Sequence, residues 1–180
     1  MVGIGSLAVL SLVASAPGQS ASDSMFGLKM GLFYPSSAAL RDALGGQWFS
    51  IGLTRVRTGA RAGTKIVTDL ELIRHKDGGN KVAMFTPSVS VYKDFAQPGD
   101  KTFPFVSVGA GLSYFDYTLT TAGVRSSTKR LGPSLIMQAG YIVDGRFIFT
   151  LRYNWMPNYD GYGFSGLSIS AGYSFFRLPF

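Results

Sequence analysis

From residue 26 onward the chain alternates with period two, and one of its two faces is made mostly of glycine, serine and threonine. Successive strand side chains point to opposite faces of a sheet, so this rhythm predicts strands rather than helices. The clearest segment sets Val106, Val108, Ala110, Leu112 and Tyr114 against Ser107, Gly109, Gly111 and Ser113. Similar segments fall at 26–32, 48–56, 66–74, 82–92, 134–141, 147–155 and 167–175. Tight hairpin turns are expected at 77–80 and 143–146, where Asp-Gly pairs stand. A glycine-containing connection spans 58–64. Longer loops are expected at 34–47, 93–103, 116–128 and 157–163, the first holding a turn or two of helix. Pro87 and Pro133 fall inside strands, where a missing backbone donor marks a bulge or an end.

Side-chain size decides which face points inward. A soluble sheet surface normally carries many charges, but only 15% of this chain is charged and 46% is apolar. The interior of an eight-stranded barrel is barely wide enough for side chains, so it needs small residues. The small polar face therefore reads as the inside, and the bulky apolar face meets hydrocarbon. The expected fold is an all-β, eight-stranded, antiparallel, up-and-down transmembrane barrel over residues 25–180. Aromatic residues near strand ends suit two interfacial girdles. Trp48, Tyr117 and Trp155 are assigned to one, and Tyr141, Phe147 and Phe175 to the other.

Residues 1–21 read as a cleaved signal peptide, with cleavage between 16 and 22. The apolar run is too short for a spanning helix. The absence of cysteine excludes a disulfide framework. The net charge of +7 is spread over segment ends and loops rather than gathered in one groove. No basic-aromatic motif of the nucleic-acid-binding kind is present, so no nucleic-acid partner is expected. No P-loop, nucleophile elbow or acid pair is visible, and neither an enzymatic activity nor a cofactor is expected. Gly109-Ala110-Gly111 is part of a dinucleotide-loop pattern without its third glycine, and is assigned to strand packing.

Three stretches, 27–52 (GLKMGLFYPSSAALRDALGGQWFSIG), 104–114 (PFVSVGAGLSY) and 166–175 (GLSISAGYSF), resemble the small outer-membrane β-barrel superfamily of OmpA-, OmpX- and OmpW-type barrels. The resemblance implies location in a bacterial outer membrane. It also implies insertion by the barrel-assembly machinery, which reads an aromatic-ended last strand; Tyr173, Phe175 and Phe180 are the matching residues.

Four charges fall on inward faces: Lys29, Asp69, Glu71 and Arg152. An unpaired charge in a narrow lumen is costly, so pairing is expected. The expected network joins these four with Gln138 and Asn154 and plugs the lumen; the other use of such residues is a narrow polar conduit. His75 is the single histidine and reads as interfacial. Lipid A deacylases on a similar barrel use a His-Ser-Glu arrangement, but Asp77 stands where the serine would be. Arg125, Lys129 and Arg130 are candidates for contacts to lipid phosphates, those of lipopolysaccharide included. Four roles follow: a closed structural or adhesion-type barrel, an OmpW-like channel for small molecules, a lipid-acting enzyme and a soluble periplasmic barrel. The first is the expectation, with the channel as its alternative.

Overall fold

In the computed structural model the chain closes into an eight-stranded antiparallel barrel. The structure describes residues 23–58, 64–121 and 124–178; the expected leader, its cleavage site and Phe180 lie outside them. The wall strands are β1 (Asp23–Pro35), β2 (Trp48–Thr58), β3 (Thr64–Asp77), β4 (Asn80–Asp94), β5 (Phe103–Thr121), β6 (Val124–Val143), β7 (Phe147–Trp155) and β10 (Gly166–Leu178). A helix, α1 (Ala38–Leu44), joins β1 to β2. A two-stranded ribbon, β8 (Asn158–Tyr159) with β9 (Tyr162–Gly163), lies between β7 and β10. Neighbouring wall strands are consecutive in the chain except where the ribbon intervenes, and β1 closes the sheet by pairing with β10.

The alternation is realised as an inverted barrel. Leu112, Leu151 and Ile169 are 54%, 48% and 51% exposed on the outer wall. Ser107, Ser134 and Ser168 are buried within it. A broad exposed apolar surface on one molecule marks a partner or a membrane, and here it encircles the wall.

Neither proline shifts the ladder. Pro87 faces outward in β4, and the β4–β5 register resumes unchanged at Ser88↔Gly111 after the last upper pair, Phe85↔Tyr114. Pro133 lies two residues beyond the last β6–β7 pair, Leu135↔Trp155. The register irregularity that is present falls in β1, between Phe26 and Gly27.

The segment 116–128 was expected to be a loop. Its flanks instead continue the β5–β6 ladder out to Thr121↔Val124. The reason is the β-branched and hydroxyl content of Thr118, Thr120, Ser126 and Thr128, which pairs well in water. The barrel thus has a terminal rim, where β1 begins and β10 ends, and a loop rim bearing α1, the ribbon and this long hairpin.

If the outer wall faces hydrocarbon, Val108→Arg costs about 2–4 kcal/mol of folding stability, whereas Val108→Leu costs little. Urea titration of folding into bilayers measures both. Equal stability for the two would refute the inverted arrangement.

Candidate functional site

The lumen is filled in three layers, and the middle one is polar. Lys29 projects inward from β1, and both of its cross-strand neighbours are glycines, Gly52 and Gly172. A β-carbon at position 172 would stand 2.9 Å from Lys29 Cγ and 2.6 Å from the Leu28 carbonyl oxygen. Glycine there makes room for the lysine stem. Lys29 Nζ lies 4.0 Å from Asp69 Oδ1. Thr54 Oγ1 donates to the same carboxylate oxygen at 3.0 Å.

Two strands opposite each other in the wall, β3 and β7, meet across the lumen. Arg152 Nε lies 3.1 Å from Glu71 Oε2 and donates to Asn154 Oδ1 at 2.8 Å. Asn154 Nδ2 donates to Glu71 Oε2 at 3.1 Å, and Ser168 Oγ from β10 donates to Glu71 Oε1 at 2.9 Å. Arg152 and Glu71 are 2% and 6% exposed, so this pair is a diametric strut rather than a surface bridge. Gln138 departs from the expected network. It faces inward opposite Arg152, but its Oε1 has no hydrogen-bond partner among the described residues. Gln138 borders a cavity of about 10 Å³ with Thr54, Asp69, Ser90, Tyr92 and Ser107. That volume is about the minimum for a single water.

Apolar layers close both ends. Towards the terminal rim, Val67, Tyr92, Phe103, Phe105, Ile142 and Ile148 form one buried cluster. Towards the loop rim, Phe33, Trp48, Ile73, Met84, Phe115 and Tyr117 form another with Met156 and Phe164. Helix α1 lies over this second cluster. Leu40 and Leu44, spaced i and i+4 on one helix face, are both fully buried. Seven residues are too few for a stable isolated helix, so burial of these two leucines holds it. Gly45, with φ 76°, ends the helix. Asn80 Nδ2 ties it down by donating to the Ala43 carbonyl at 2.8 Å.

Two girdle assignments are therefore corrected. Trp48 and Tyr117 are 0% and 1% exposed and point into the loop-rim cluster. The alternation already carried this: Trp48 is out of phase with outward Phe49, Ile51 and Leu53, and Tyr117 with outward Leu112 and Tyr114. The same parity would have found Phe33, Phe103, Phe105 and Phe115, which rim position alone obscured. Trp155, Tyr141, Phe147 and Phe175 face outward. Phe147 and Tyr173 make an edge contact with centroids 5.2 Å apart, as do Tyr173 and Phe175. His75 stacks on Trp48 with centroids 6.2 Å apart.

The ribbon is pinned to the long hairpin. Asp160 and Gly161 form its turn with φ of 51° and 81°, the pattern Asp-Gly supplies in tight hairpins. Tyr117 Oη donates to Asp160 Oδ2 at 2.5 Å, and Arg130 to Oδ1 at 2.8 Å. Arg130 is thus committed to Asp160 and is separated from Arg125 and Lys129, which extend from the outward face of β6. The Tyr117 hydroxyl, then Arg130, hold the Asp160 carboxyl below the ordinary carboxylate range.

A scan against protein-family models matches none, and a search of curated proteins finds no match. Solved structures share the architecture. Neisserial surface protein A superposes with a TM-score of 0.57 at 18% identity, over 90% of this chain and 100% of that one. The outer membrane enzyme PagL gives 0.55 at 15% identity, over 82% and 97%. Ail, the attachment invasion locus protein of Yersinia pestis, gives 0.52 at 10% identity, over 88% and 100%. The chain has the fold of the small outer-membrane β-barrels.

Two outcomes follow. Glu71→Gln leaves Arg152 buried without its counter-charge and costs about 3–5 kcal/mol, while adding Arg152→Met recovers part of the loss. A double-mutant cycle by urea unfolding in detergent measures the coupling; simple additivity would contradict the strut. Because the Asp160 pKa is depressed in the folded state, its contribution is present above the unfolded carboxylate pKa and is lost as pH falls through the folded value. NMR titration should place the Asp160 midpoint below that of an unstructured aspartate, with Tyr117→Phe moving it upward.

Proposed function

We propose that this chain is a closed outer-membrane barrel that presents its loop rim at the cell surface in a structural or adhesion-type role. The observation that carries the reading is the threefold closure of the lumen. An apolar layer fills each end, and the Glu71–Arg152 strut crosses the middle. The apolar outer wall supports placement in a bilayer, because a closed barrel is one of two folds that satisfy every backbone group there. Longer connections usually face outward; on that basis α1 and the ribbon are external, and Trp155, Tyr141, Phe147 and Phe175 lie near the two interfaces.

Solved relatives of this fold include a surface protein, an attachment invasion locus protein and an enzyme. Fold therefore does not choose among roles. Against an enzymatic role stands His75, whose ring is engaged with Trp48. Its side chain has no hydrogen bond to a serine or acid among the described residues. Against a channel stand the two apolar layers, which give a solute no polar path.

The refolded barrel in a planar bilayer should show no conductance steps above the lipid baseline, and Arg152→Met alone should not create them, since the apolar layers remain. Sustained steps from the unmodified protein would overturn the closed reading. Deleting 157–163 should reduce adherence of expressing cells while leaving the barrel folded; unchanged adherence would remove the adhesion role.

A further inference from the structure

The outer face of β3–β6 carries an arrangement that the closed-barrel reading does not use. Arg74, Lys76, Lys81, Lys129 and Arg125 are all exposed and share the phase of the outward apolar residues on their strands. Register brings them together. The row Leu72–Phe85–Tyr114–Leu131 belongs to the apolar wall. One outward row closer to the loop rim runs Arg74–Ala83–Asp116–Lys129; the next sets exposed Lys76 against Lys81, followed along the ladder by Thr118, which is buried, and by exposed Ser127. Arg125 stands higher on β6, opposite Thr120.

This arrangement is unfavourable in water. Lys76 and Lys81 are directly opposite one another, and like charges so placed repel. Asp116 is the single acid on this face among the described residues, and it lies 3.8 Å from Lys81. Four of the five cations are thus left without an ion pair among those residues. The outward loop-rim positions of β1, β2, β7 and β10 carry Tyr34, Phe49, Trp155 and Leu167 instead, so the charge is confined to one side. Two outward rows differ by two residues, about 7 Å of strand. Over that step the wall changes from apolar to cationic side chains, the change expected between hydrocarbon and headgroup depth.

We infer that the β3–β6 face binds the phosphates of a phosphorylated glycolipid of the outer leaflet, with Arg74, Lys76, Lys81 and Lys129 as the contacting cations and Arg125 beside them. The glycolipid's acyl chains lie along the apolar wall below, and its phosphates neutralise the opposed lysines. Lipopolysaccharide is the glycolipid of that chemistry. The inference rests on the outer-membrane reading and names the lipid its surface meets. Arg130, bonded to Asp160, takes no part.

The test is co-purification. The protein is extracted in mild detergent from outer membranes, and bound glycolipid is counted by native mass spectrometry. The triple variant Arg74→Gln, Lys76→Gln, Lys129→Gln should bind glycolipid about a hundred-fold more weakly on add-back, from roughly fivefold per cation. The triple variant Lys93→Gln, Lys101→Gln, Arg146→Gln, equal in lost charge but at the terminal rim, should bind as the parent does. Lys129→Gln alone should weaken binding about fivefold, which keeps the test decisive if the triple variant misfolds. Add-back of dephosphorylated glycolipid should fail, and millimolar inorganic phosphate should not displace the intact lipid. Equal losses in the two triple variants, full retention in the first, or equal binding of the dephosphorylated lipid would each overturn the inference. Heat-modifiability and membrane fractionation of the parent test the underlying reading separately: a parent that fails both sinks that reading, whereas a folded, membrane-bound parent without selective binding sinks the lipid site alone.

Discussion

A bilayer core offers no water to backbone amides and carbonyls, so a sheet within it must satisfy its own edges. Here that requirement is met by the pairing of β1 with β10, from Ser24↔Leu178 to Pro35↔Gly166. Closing eight strands leaves an interior only as wide as facing side chains. The inward positions must then be either small or mutually engaged. Lys29 fits because Gly52 and Gly172 flank it, and Arg152 fits because it reaches across to Glu71. Lumen chemistry is in this sense a consequence of backbone closure.

The layering of the interior follows from where water can reach. At mid-depth, charges are tolerated because each finds a partner of opposite sign or a hydroxyl. Near the rims, inward aromatic and aliphatic residues exclude water and bury apolar surface, at about 1.5–3 kcal/mol for each large side chain fully buried. The loop-rim layer binds α1 as part of the same core, through Leu40 and Leu44. A segment that reads as a loop with helical tendency is thereby made into structured cover for the mouth, with Asn80 tying it to β4.

The strand count, the antiparallel closure and the outward apolar face were legible because period-two alternation is a local signal. So was the set of inward charges, since Lys29, Asp69, Glu71 and Arg152 sit on the small-residue phase. Which charge meets which was not legible: the Glu71–Arg152 contact depends on β3 and β7 standing opposite each other in the closed wall. Gln138 stands on the expected face directly across the ladder from Arg152, yet its Oε1 has no hydrogen-bond partner among the described residues. Trp48 and Tyr117 were misplaced for another reason. Their position near strand ends suggested an interface, while their phase pointed inward, and phase governs a side chain's direction within a ladder. Arg130 illustrates a third limit, since its partner Asp160 lies in a ribbon that no period-two run announces.

The crossing of the lumen by Arg152 and Glu71 has a mechanical meaning. A thin-walled tube yields most easily by flattening, which lengthens one diameter and shortens the one at right angles to it. A tie between opposite staves resists the first of these changes, and packed layers above and below resist the second. In a bilayer, lateral pressure would therefore meet a cylinder braced from within.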